Sequence, residues 1–417
     1  MTASYTRRSA CALCAAADNE LQAVLKLADT PPANEFVRAE DRDKPQDLIP
    51  LTLLLCGRCG HLQLAEIVDP RRLFQHYVYV SGTSSVFVEH FARLARETAT
   101  RFALSGNSFV VDVGSNDGTL LKQFQALGVS RVLGVDPAVE IVQAAVAAGV
   151  PTREGFFTGV LAGELRAAHG PADLVCANNV FAHAEDLAGF ASAVKTLLSD
   201  EGVFVFEVSY LVDVIENLLF DTIYHEHVAY HALRPLVQFF RRFGLRLFDA
   251  ERVGTHGGSI RCYVCPQPAR HADSDRLAGL LEHEERLGLF GPEVYARFKQ
   301  RITELGGALR GRVAAIRAQG QHIAGYGAPA KLTTLMYEFG LDGGSIDFII
   351  DDSPWKQGLF TPGTHIPVLP SSALQQRRPD WCVIFAWNFA DSIIKKNTNF
   401  SAAGGRFIVP LPRLQET

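Results

Sequence analysis

The stretch Phe109-Val110-Val111-Asp112-Val113-Gly114-Ser115-Asn116-Asp117-Gly118-Thr119-Leu120-Leu121 decides the fold of the middle of the chain. An apolar strand pattern runs into a glycine-rich turn, and a helical pattern follows the turn. This order is typical of a doubly wound α/β sheet, in which the turn at the carboxyl end of a strand lies where ligands bind. The stretch therefore predicts a Rossmann-like domain with a small-molecule site.

Further strands and helices alternate on both sides of this stretch. A helix is predicted over residues 86–102, and apolar strands over 131–135, 173–177 and 202–207. An amphipathic stretch over 273–317, broken near Gly291-Pro292, precedes a second series of strands at 321–326, 345–350, 381–386 and 406–409. Alternation of this kind predicts parallel sheets with helices on both faces. We expect three domains: residues 1–75, 76–300 and 301–417.

Composition excludes several classes of protein. The chain has 417 residues, 47% of them hydrophobic, so it is long enough for two or three globular domains. Its net charge is -5 and it has no lysine-arginine block, which argues against nucleic acid or a membrane surface as the main partner. Apolar runs are shorter than a membrane span requires, and residues 1–10 carry two arginines and no apolar run, so we expect no signal peptide. We therefore expect a cytoplasmic protein that is a monomer or a weak homo-oligomer.

Two pairs of cysteines predict a metal site near the amino terminus. The pairs are Cys11-Ala12-Leu13-Cys14 and Cys56-Gly57-Arg58-Cys59. Four thiolates on two tight turns form the tetrahedral site that zinc prefers, and a site closed by four sulfurs has a structural role. The long separation between the pairs requires an inserted loop or small sheet. Cys262 and Cys265 have the same spacing but no second pair, so we interpret them as packing residues.

The glycine-rich turn predicts a nucleotide cofactor. The candidate cofactor-binding residues here are Asp112, Gly114, Ser115, Asn116, Asp117, Gly118 and, at the end of the next strand, Asp136. A carboxylate at the position of Asp136 can accept the hydroxyl groups of a ribose. The turn lacks the G-x-G-x-x-G pattern that places a pyrophosphate at a helix N-terminus, so S-adenosylmethionine is favoured over NAD.

Several segments together resemble the bacterial sugar C-methyltransferases that act on nucleotide-linked deoxysugars. Besides the cysteine pairs and residues 112–121, the resembling segments are Ala177-Asn178-Asn179-Val180-Phe181-Ala182-His183, Ile223-Tyr224-His225-Glu226-His227, His256-Gly257-Gly258-Ser259-Ile260-Arg261, Gly325-Tyr326-Gly327-Ala328-Pro329-Ala330-Lys331, Asp351-Asp352, Lys356-Gln357-Gly358, Thr361-Pro362-Gly363-Thr364 and Ala386-Trp387-Asn388-Phe389. They cover essentially the whole chain in the family's order. The chain departs from the family pattern at Leu332-Thr333-Thr334 and at Trp355.

The resemblance implies a fold and an activity. We expect a zinc-binding N-terminal domain, a central domain that binds S-adenosylmethionine, to which Asn178 and Asn179 contribute, and a smaller C-terminal Rossmann-like domain that holds the nucleotide of the sugar. The implied reaction methylates a ring carbon, with C3 favoured, beside the ketone of a nucleotide-diphospho-4-keto-6-deoxysugar. A dTDP-sugar is the favoured substrate and a GDP-sugar the alternative.

Carbon methylation beside a ketone requires a base for the ring proton and a donor for the enolate oxygen. By resemblance, His227 is the base, Tyr224 donates to the ketone oxygen and Glu226 orients or contacts the substrate. His225 is the second candidate for the base, and His183 a further donor. In an extended segment the two histidines would face away from Tyr224 and Glu226, whereas in an irregular loop they could converge. Tyr79, or alternatively Tyr77, is expected to close over the sugar.

The substrate's nucleotide is expected at the second glycine-rich turn. Tyr326, Gly327 and Lys331 lie where a strand opens into a helix, an arrangement that presents amide groups and a lysine to a diphosphate. Asp351 and Asp352, at the end of the next strand, are expected to contact ribose or base. His256, flanked by glycines, is a further candidate for the substrate site.

Other interpretations remain open at this stage. The two histidines around Glu226 could instead ligate a second metal. A zinc-containing RNA methyltransferase would also combine four cysteines with a cofactor domain, although the acidic chain argues against it. A nucleotide-sugar-binding protein without catalytic activity is a third hypothesis, and an NAD-linked sugar oxidoreductase is the fourth.

Overall fold

The computed structural model describes residues 4–74, 82 and 85–417, without the side chains of Ser85 and His256. The strands are β1 (Thr6–Arg7), β2 (Leu21–Thr30), β3 (Ile49–Cys56), β4 (Leu62–Leu64), β5 (Glu66–Ile67), β6 (Phe109–Val113), β7 (Arg131–Asp136), β8 (Thr152–Glu154), β9 (Ala172–Asn178), β10 (Leu198–Ser209), β11 (Ala229–Tyr230), β12 (Leu245–Val253), β13 (Ser259–Pro266), β14 (Ile323–Tyr326), β15 (Phe348–Ile350), β16 (Val368–Leu369), β17 (Trp381–Ile384), β18 (Arg406–Val409) and β19 (Gln415–Glu416). The α-helices are α1 (Pro70–Phe74), α2 (Ser85–Arg101), α3 (Thr119–Ala126), α4 (Val139–Ala147), α5 (Gly159–His169), α6 (Leu187–Leu197), α7 (Leu211–Glu216), α8 (Leu233–Arg241), α9 (Asp275–Leu287), α10 (Pro292–Ala318), α11 (Lys331–Phe339), α12 (Ala373–Arg377), α13 (Ala390–Lys396) and α14 (Thr398–Ala402).

A small antiparallel sheet fills the space between the two cysteine pairs. Its order is β11-β4-β3-β2, and seven of the eight residues of β3 are buried because nearly every residue in it is apolar. The strands β2 and β3 form the insertion that the spacing of the cysteines requires. The edge strand β11 comes from much later in the chain, where Ala229 pairs with Gln63. The first sheet is therefore completed by a segment from the middle of the sequence.

The middle of the chain forms a seven-stranded sheet with the order β12-β13-β10-β9-β6-β7-β8. The strands β6 to β10 are parallel, whereas β13 runs antiparallel to both of its neighbours. Every residue of β6 is buried, as its apolar sequence predicts. The strand order reverses between β6 and β9, and the carboxyl ends of these two strands are where an open α/β sheet binds its ligand.

A buried ionic contact fastens α2 to this sheet. Glu207 of β10 and Arg261 of β13 are cross-strand partners, and the Arg261 guanidinium donates to the Glu207 carboxylate at 2.6 Å. His90 of α2 lies 2.7 Å from the other oxygen of the same carboxylate. Burial alone would raise the pKa of the Glu207 carboxyl, but the hydrogen bond with His90 and the charge of Arg261 keep it below its ordinary value. Because all three side chains are buried, the contact holds α2 in one position.

The last part of the chain forms a six-stranded sheet with the order β16-β15-β14-β17-β18-β19, parallel except for β19. Its strand order reverses between β14 and β17. The long helix α10 precedes it and begins at Pro292, which confirms the break expected at Gly291-Pro292. In the part of the chain that the structure describes, none of the helices combines the length and apolarity needed to cross a membrane.

Candidate active site

The four cysteines of the two pairs converge on one point. Their sulfur atoms all lie within 4.8 Å of one another, and the Cys11–Cys59 and Cys14–Cys56 pairs are each 3.6 Å apart. Zinc-sulfur bonds of about 2.3 Å in a tetrahedron separate the sulfurs by about 3.8 Å, so the arrangement fits one zinc ion. Three of the four cysteines are buried. A site closed by four sulfurs stabilises the first sheet and leaves no position for a substrate.

The glycine loop, residues 114–118, lies at the carboxyl end of β6. Gly114 has a φ of +67°, and a Cβ atom there would lie 2.2 Å from a methyl group of Val180. The close approach brings the glycine loop against the loop that follows β9. Asp117 accepts hydrogen bonds from the Thr119 hydroxyl at 2.6 Å and from the backbone of Gly82 at 3.1 Å. The loop is therefore held from both sides.

Two carboxylates lie at the ends of β6 and β7. Asp136 accepts from the backbone amides of Asn116 and Ala138, both at 2.9 Å, which fixes its orientation. Burial raises the pKa of Asp136, and burial together with the nearby Asp136 charge raises the pKa of Asp112 well above its ordinary value. The lone pairs of Asp136 that its amide partners leave available suit the hydroxyl groups of a ribose.

Asn178 ends β9 and Asn179 follows it, opposite the glycine loop. The backbone amide of Asn179 donates to the Glu207 carbonyl at 2.7 Å, and Asn179 has a φ of +57°. The buried carboxamide atoms of Asn178 and the buried Ser115 hydroxyl have no hydrogen-bond partner among the described residues. Because buried polar groups are rarely left unpaired, these atoms suit a polar ligand. The loops at this switch point therefore fit S-adenosylmethionine.

The segment Tyr224-His225-Glu226-His227, here called the histidine turn, is a tight turn and not an extended strand. The backbone amide of His227 donates to the Tyr224 carbonyl at 2.9 Å. Closing the turn brings the Tyr224 hydroxyl to 3.0 Å from Nε2 of His227. The irregular loop considered from the sequence is thus the one observed, and it brings Tyr224 and His227 together.

His227 is held in one tautomer by its backbone partner. Its Nδ1 lies 2.7 Å from the Thr222 carbonyl, which can only accept, so Nδ1 carries the proton and Nε2 carries the lone pair. Burial lowers the pKa of His227 to about 4. An imidazole that carries its lone pair on Nε2 at neutral pH has the protonation state of a general base.

The loop after β9 brings His183 to the same place. The His183 and His227 rings stack with their centroids 5.1 Å apart, and Phe74 stacks on His183 from the other side at 5.3 Å. The backbone amide of Val228 donates to the Ala182 carbonyl at 3.0 Å. Since the same loop contacts Gly114, the histidine turn lies beside the proposed cofactor loops.

His225 lies apart from its two neighbours. Its Nε2 is 3.2 Å from the carbonyl of Pro50 in β3, its ring is fully buried, and burial lowers its pKa to about 4. These contacts attach the histidine turn to the first sheet. Tyr79 and Tyr77 lie outside the described residues. For His256 the structure describes only the backbone, in a short 3-10 turn over Thr255–Gly257.

The second glycine-rich turn opens α11 at the reversal point of the last sheet. Gly327 has a φ of +89°, and a Cβ atom there would lie 2.5 Å from that of Ala386. The Asp351 carboxylate accepts from the backbone amide of Ala328 at 2.6 Å and shapes the turn. Tyr326 is buried and donates to Asp352 at 3.3 Å, and Lys396 donates to the same carboxylate at 2.8 Å. Both aspartates thus have protein partners.

Lys331 lies between the last sheet and the middle of the chain. Its ammonium donates to the side chain of Asn388 at 2.7 Å and lies 3.9 Å above the ring of Trp387. The Trp387 indole donates to the buried Asp221 at 2.6 Å. Burial lowers the pKa of Lys331 to about 8, and the nearby Asp221 charge opposes that shift.

Two further residues, neither of them predicted as a site residue from the sequence, reach this region. The Asn34 carboxamide, from the first domain, donates to Glu226 at 2.6 Å. The buried Lys356 donates to the Ala328 carbonyl at 2.8 Å, and the charges of Asp351 and Glu226 act on it. The Pro-Pro stretch before Asn34 indicated only a loop. Lys356 lies within a segment that resembles the family, which was a usable signal.

Comparison with known proteins decides the family. Three family models match in order: "Putative zinc binding domain" over residues 11–74, "Methyltransferase domain" over 87–249 and "C-methyltransferase C-terminal domain" over 254–412. The C-methyltransferase NovU of Streptomyces niveus is 35% identical over 93% of this chain and 92% of its own length. The chain belongs to this C-methyltransferase family. The protein is therefore an S-adenosylmethionine-dependent C-methyltransferase with a zinc-binding N-terminal segment.

The similar solved structures match less than half of the length of this C-methyltransferase. A methyltransferase in complex with the Trm112 activator of Haloferax volcanii is 18% identical, covers 44% of this chain and 94% of its own, and has a TM-score of 0.36. Magnesium protoporphyrin IX methyltransferase of Synechocystis, solved with bound S-adenosylhomocysteine, is 14% identical, covers 42% of this chain and 82% of its own, and has a TM-score of 0.34. Nothing about substrate follows from likenesses this distant.

Proposed function

We propose that this enzyme methylates a ring carbon, with C3 favoured, next to the ketone of a nucleotide-diphospho-4-keto-6-deoxysugar. The observation that carries the proposal is the pair of Tyr224 and His227, with a phenol hydroxyl 3.0 Å from an imidazole Nε2 lone pair. A base beside a hydrogen-bond donor is what carbon acid chemistry at a ketone requires. The pair lies next to the loops that fit S-adenosylmethionine.

His227 takes the ring proton in this mechanism. The C–H bond breaks, the proton moves to Nε2, and the electron pair left on carbon forms the new C–C bond. Bound S-adenosylmethionine would supply the methyl group on a sulfonium centre, and the electron pair of the broken sulfur–methyl bond would remain on the sulfur of S-adenosylhomocysteine. A pKa of about 4 makes His227 a weak base in the free enzyme. The negative charge that develops on the enolate raises this pKa during the reaction, because an opposite charge nearby favours the protonated imidazole.

Tyr224 stabilises the enolate in this mechanism. Its hydroxyl donates to Nε2 of His227 in the free enzyme, and rotation toward the ketone oxygen frees Nε2 for the substrate proton. His183, stacked on His227, is a further donor at the same centre. Glu226 contacts or orients the sugar. We assign His225 to attachment of the turn, since its ring nitrogen is bonded to the Pro50 carbonyl.

The nucleotide occupies the carboxyl edge of the last sheet in this proposal. The diphosphate would lie at the start of α11, after the turn at Gly327, where the helix dipole would stabilise it. Lys331 supplies a cation at the first residue of that helix. A dTDP-sugar is the favoured substrate and a GDP-sugar the alternative. Asp136, Asn178 and the glycine loop hold the cofactor at the other sheet.

Mass spectrometry on a panel of 4-keto-deoxysugar nucleotides tests this proposal. Incubation with S-adenosylmethionine should add the mass of one methylene to the sugar. Without the cofactor, the wild-type enzyme should still exchange the ring proton for solvent deuterium. His227→Ala should abolish both reactions and leave cofactor affinity near normal, whereas the exposed His169→Ala serves as the matched control. Wild-type rates in His227→Ala would remove the residue from the mechanism, and methyl transfer to RNA instead would refute the substrate class.

A further inference from the structure

All three parts of the chain meet around Glu226. The carboxylate is 2% exposed, and its Oε1 accepts a hydrogen bond from the Asn34 carboxamide at 2.6 Å. Asn34 belongs to the loop between β2 and β3, so the zinc-binding segment contacts the histidine turn directly. A buried carboxylate requires hydrogen bonds, and a donor of fixed direction also determines which way the carboxylate faces.

Two adjacent threonines of α11 hold both sides of this contact. The Thr333 hydroxyl donates to the carbonyl of Ala33 at 3.2 Å, next to Asn34. The Thr334 hydroxyl donates to the carbonyl of Ile223 at 2.8 Å, at the start of the histidine turn. Both threonines are buried. They lie in the stretch Leu332-Thr333-Thr334, at the start of α11.

The charges around Glu226 indicate that Asn34 orients the carboxylate and does not neutralise it. The cation on the last sheet is Lys356, whose ammonium donates to the Ala328 carbonyl and lies 5.3 Å from the centroid of the Phe36 ring. On the loop of Asn34, the adjacent Glu35 is paired with Arg72. The titratable residues beside Glu226 on the turn itself are Tyr224, His225 and His227. A neutral amide therefore donates directly to Glu226 while the positive charge comes from elsewhere.

We propose that Asn34 is a positioning residue for C-methylation, which fixes the direction in which Glu226 presents its carboxylate to the sugar. Thr333 holds the loop of Asn34, and Thr334 holds the turn of Glu226, so α11 sets their relative position. This inference rests on the proposed function, in which Glu226 contacts or orients the substrate. It assigns a part in the reaction to the zinc-binding segment and to the C-terminal sheet domain.

Asn34→Asp tests the proposal because it places a second carboxylate within hydrogen-bond distance of Glu226. Two carboxyl groups this close share one proton, and the pair loses that proton at a raised apparent pKa. Below that pKa the shared proton replaces the amide donor, and above it the two charges repel. We expect kcat to fall by about tenfold to a hundredfold at alkaline pH, as a misplaced group does, and to recover as the pH falls. The pH profile of kcat for the wild-type enzyme should lack this fall at alkaline pH.

Three further variants distinguish a loss of positioning from a folding defect. Asn34→Ala should lower kcat at every pH, with no additional fall at alkaline pH. Thr333→Val should also lower kcat, and Thr333→Ser should restore it. Affinity for S-adenosylmethionine and zinc content should stay at the wild-type level in all of these variants. A pH profile of Asn34→Asp parallel to that of wild-type enzyme would overturn the positioning role. Equal kcat values for Thr333→Val and wild type would overturn the role of the threonine.

Deuterium exchange separates failure of this inference from failure of the proposed function. If wild-type enzyme exchanges no ring proton of any 4-keto sugar nucleotide, or His227→Ala exchanges it normally, the proposed function is wrong. If both controls behave as expected and Asn34→Asp shows no pH-dependent defect, only the role of Asn34 is wrong. The exposed His169→Ala provides the reference for an unrelated substitution in each assay.

Discussion

Two buried histidines should make this protein sensitive to mild acid. His225 and His231 are both fully buried, and burial lowers the pKa of each to about 4. His231 stacks on Phe181 at 5.1 Å and on His61 at 5.7 Å, and His225 contacts β3. Both rings therefore lie between the first sheet and the middle of the chain. Folding keeps both imidazoles neutral, so only the unfolded chain takes up protons near pH 6.

The size of the effect follows from linkage. A buried histidine of this kind has a pKa of about 6.5 in the unfolded chain and about 4 in the folded protein. Below about pH 6.5 only the unfolded chain binds the proton, so the folded protein loses stability as the pH falls toward 4. Between pH 7 and pH 5, each such histidine lowers the free energy of unfolding by about 2 kcal/mol. The two together amount to about 4 kcal/mol, a large part of the roughly 5–15 kcal/mol by which proteins are stable.

Urea unfolding at pH 7 and pH 5, followed by circular dichroism, measures this loss. His231→Phe keeps an aromatic ring in the stack and removes the titrating group. It should therefore lose about 2 kcal/mol less stability than wild-type protein over the same pH interval. Comparing the two proteins cancels the acid sensitivity of the cysteine thiolates. Equal losses in wild type and His231→Phe would refute the reasoning, as would titration of the His231 ring near pH 6.5 by NMR.

Three further predictions concern the site. Removing zinc with a chelator should unfold the first sheet and abolish methyl transfer, because β11 continues directly from the histidine turn; circular dichroism and kinetics report the two effects. Asp136→Asn should weaken binding of S-adenosylmethionine by about tenfold or more in calorimetry, whereas Asp173→Asn, which alters a carboxylate bonded to the backbone at the opposite edge of the sheet, should not. Tyr224→Phe should lower kcat by about a hundredfold with cofactor affinity unchanged; an unchanged kcat would exclude the phenol as the enolate donor.

Much of the fold follows from local sequence patterns. The strand β6 is apolar at four of its five positions and ends at a glycine turn, so both its position and the ligand edge were predictable. The break before α10 coincides with Gly291-Pro292, because proline is tolerated at the first turn of a helix. The cysteine pairs predicted a single cluster because tight turns with this spacing favour a common metal. Except for the separation between the two cysteine pairs, the signal lies within a few residues of the feature in each case.

Contacts between distant segments were not predictable in this way. The strand β11 has only two residues, too few for an alternating pattern, and its partner β4 lies far away in the sequence. Asn34 lies in a stretch whose prolines indicate a loop and nothing about what the loop contacts. The departure at Thr333-Thr334 was visible in the sequence. The hydrogen bonds that these two threonine hydroxyls donate to the Ala33 and Ile223 carbonyls could not be predicted, because they depend on tertiary packing.

The histidine turn shows why local geometry decides between the two histidines. An extended strand would place Tyr224 and His227 on opposite faces, since side chains alternate along a strand. The hydrogen bond from the His227 amide to the Tyr224 carbonyl closes a four-residue turn, and residues three apart then lie on the same side. His225, one position after Tyr224, contacts β3 instead. One side of the histidine turn thus pairs the Tyr224 phenol with the His227 imidazole, and the other side is anchored to the zinc-binding sheet through His225. The geometry of the Tyr224–His227 pair therefore depends on the folding of that sheet.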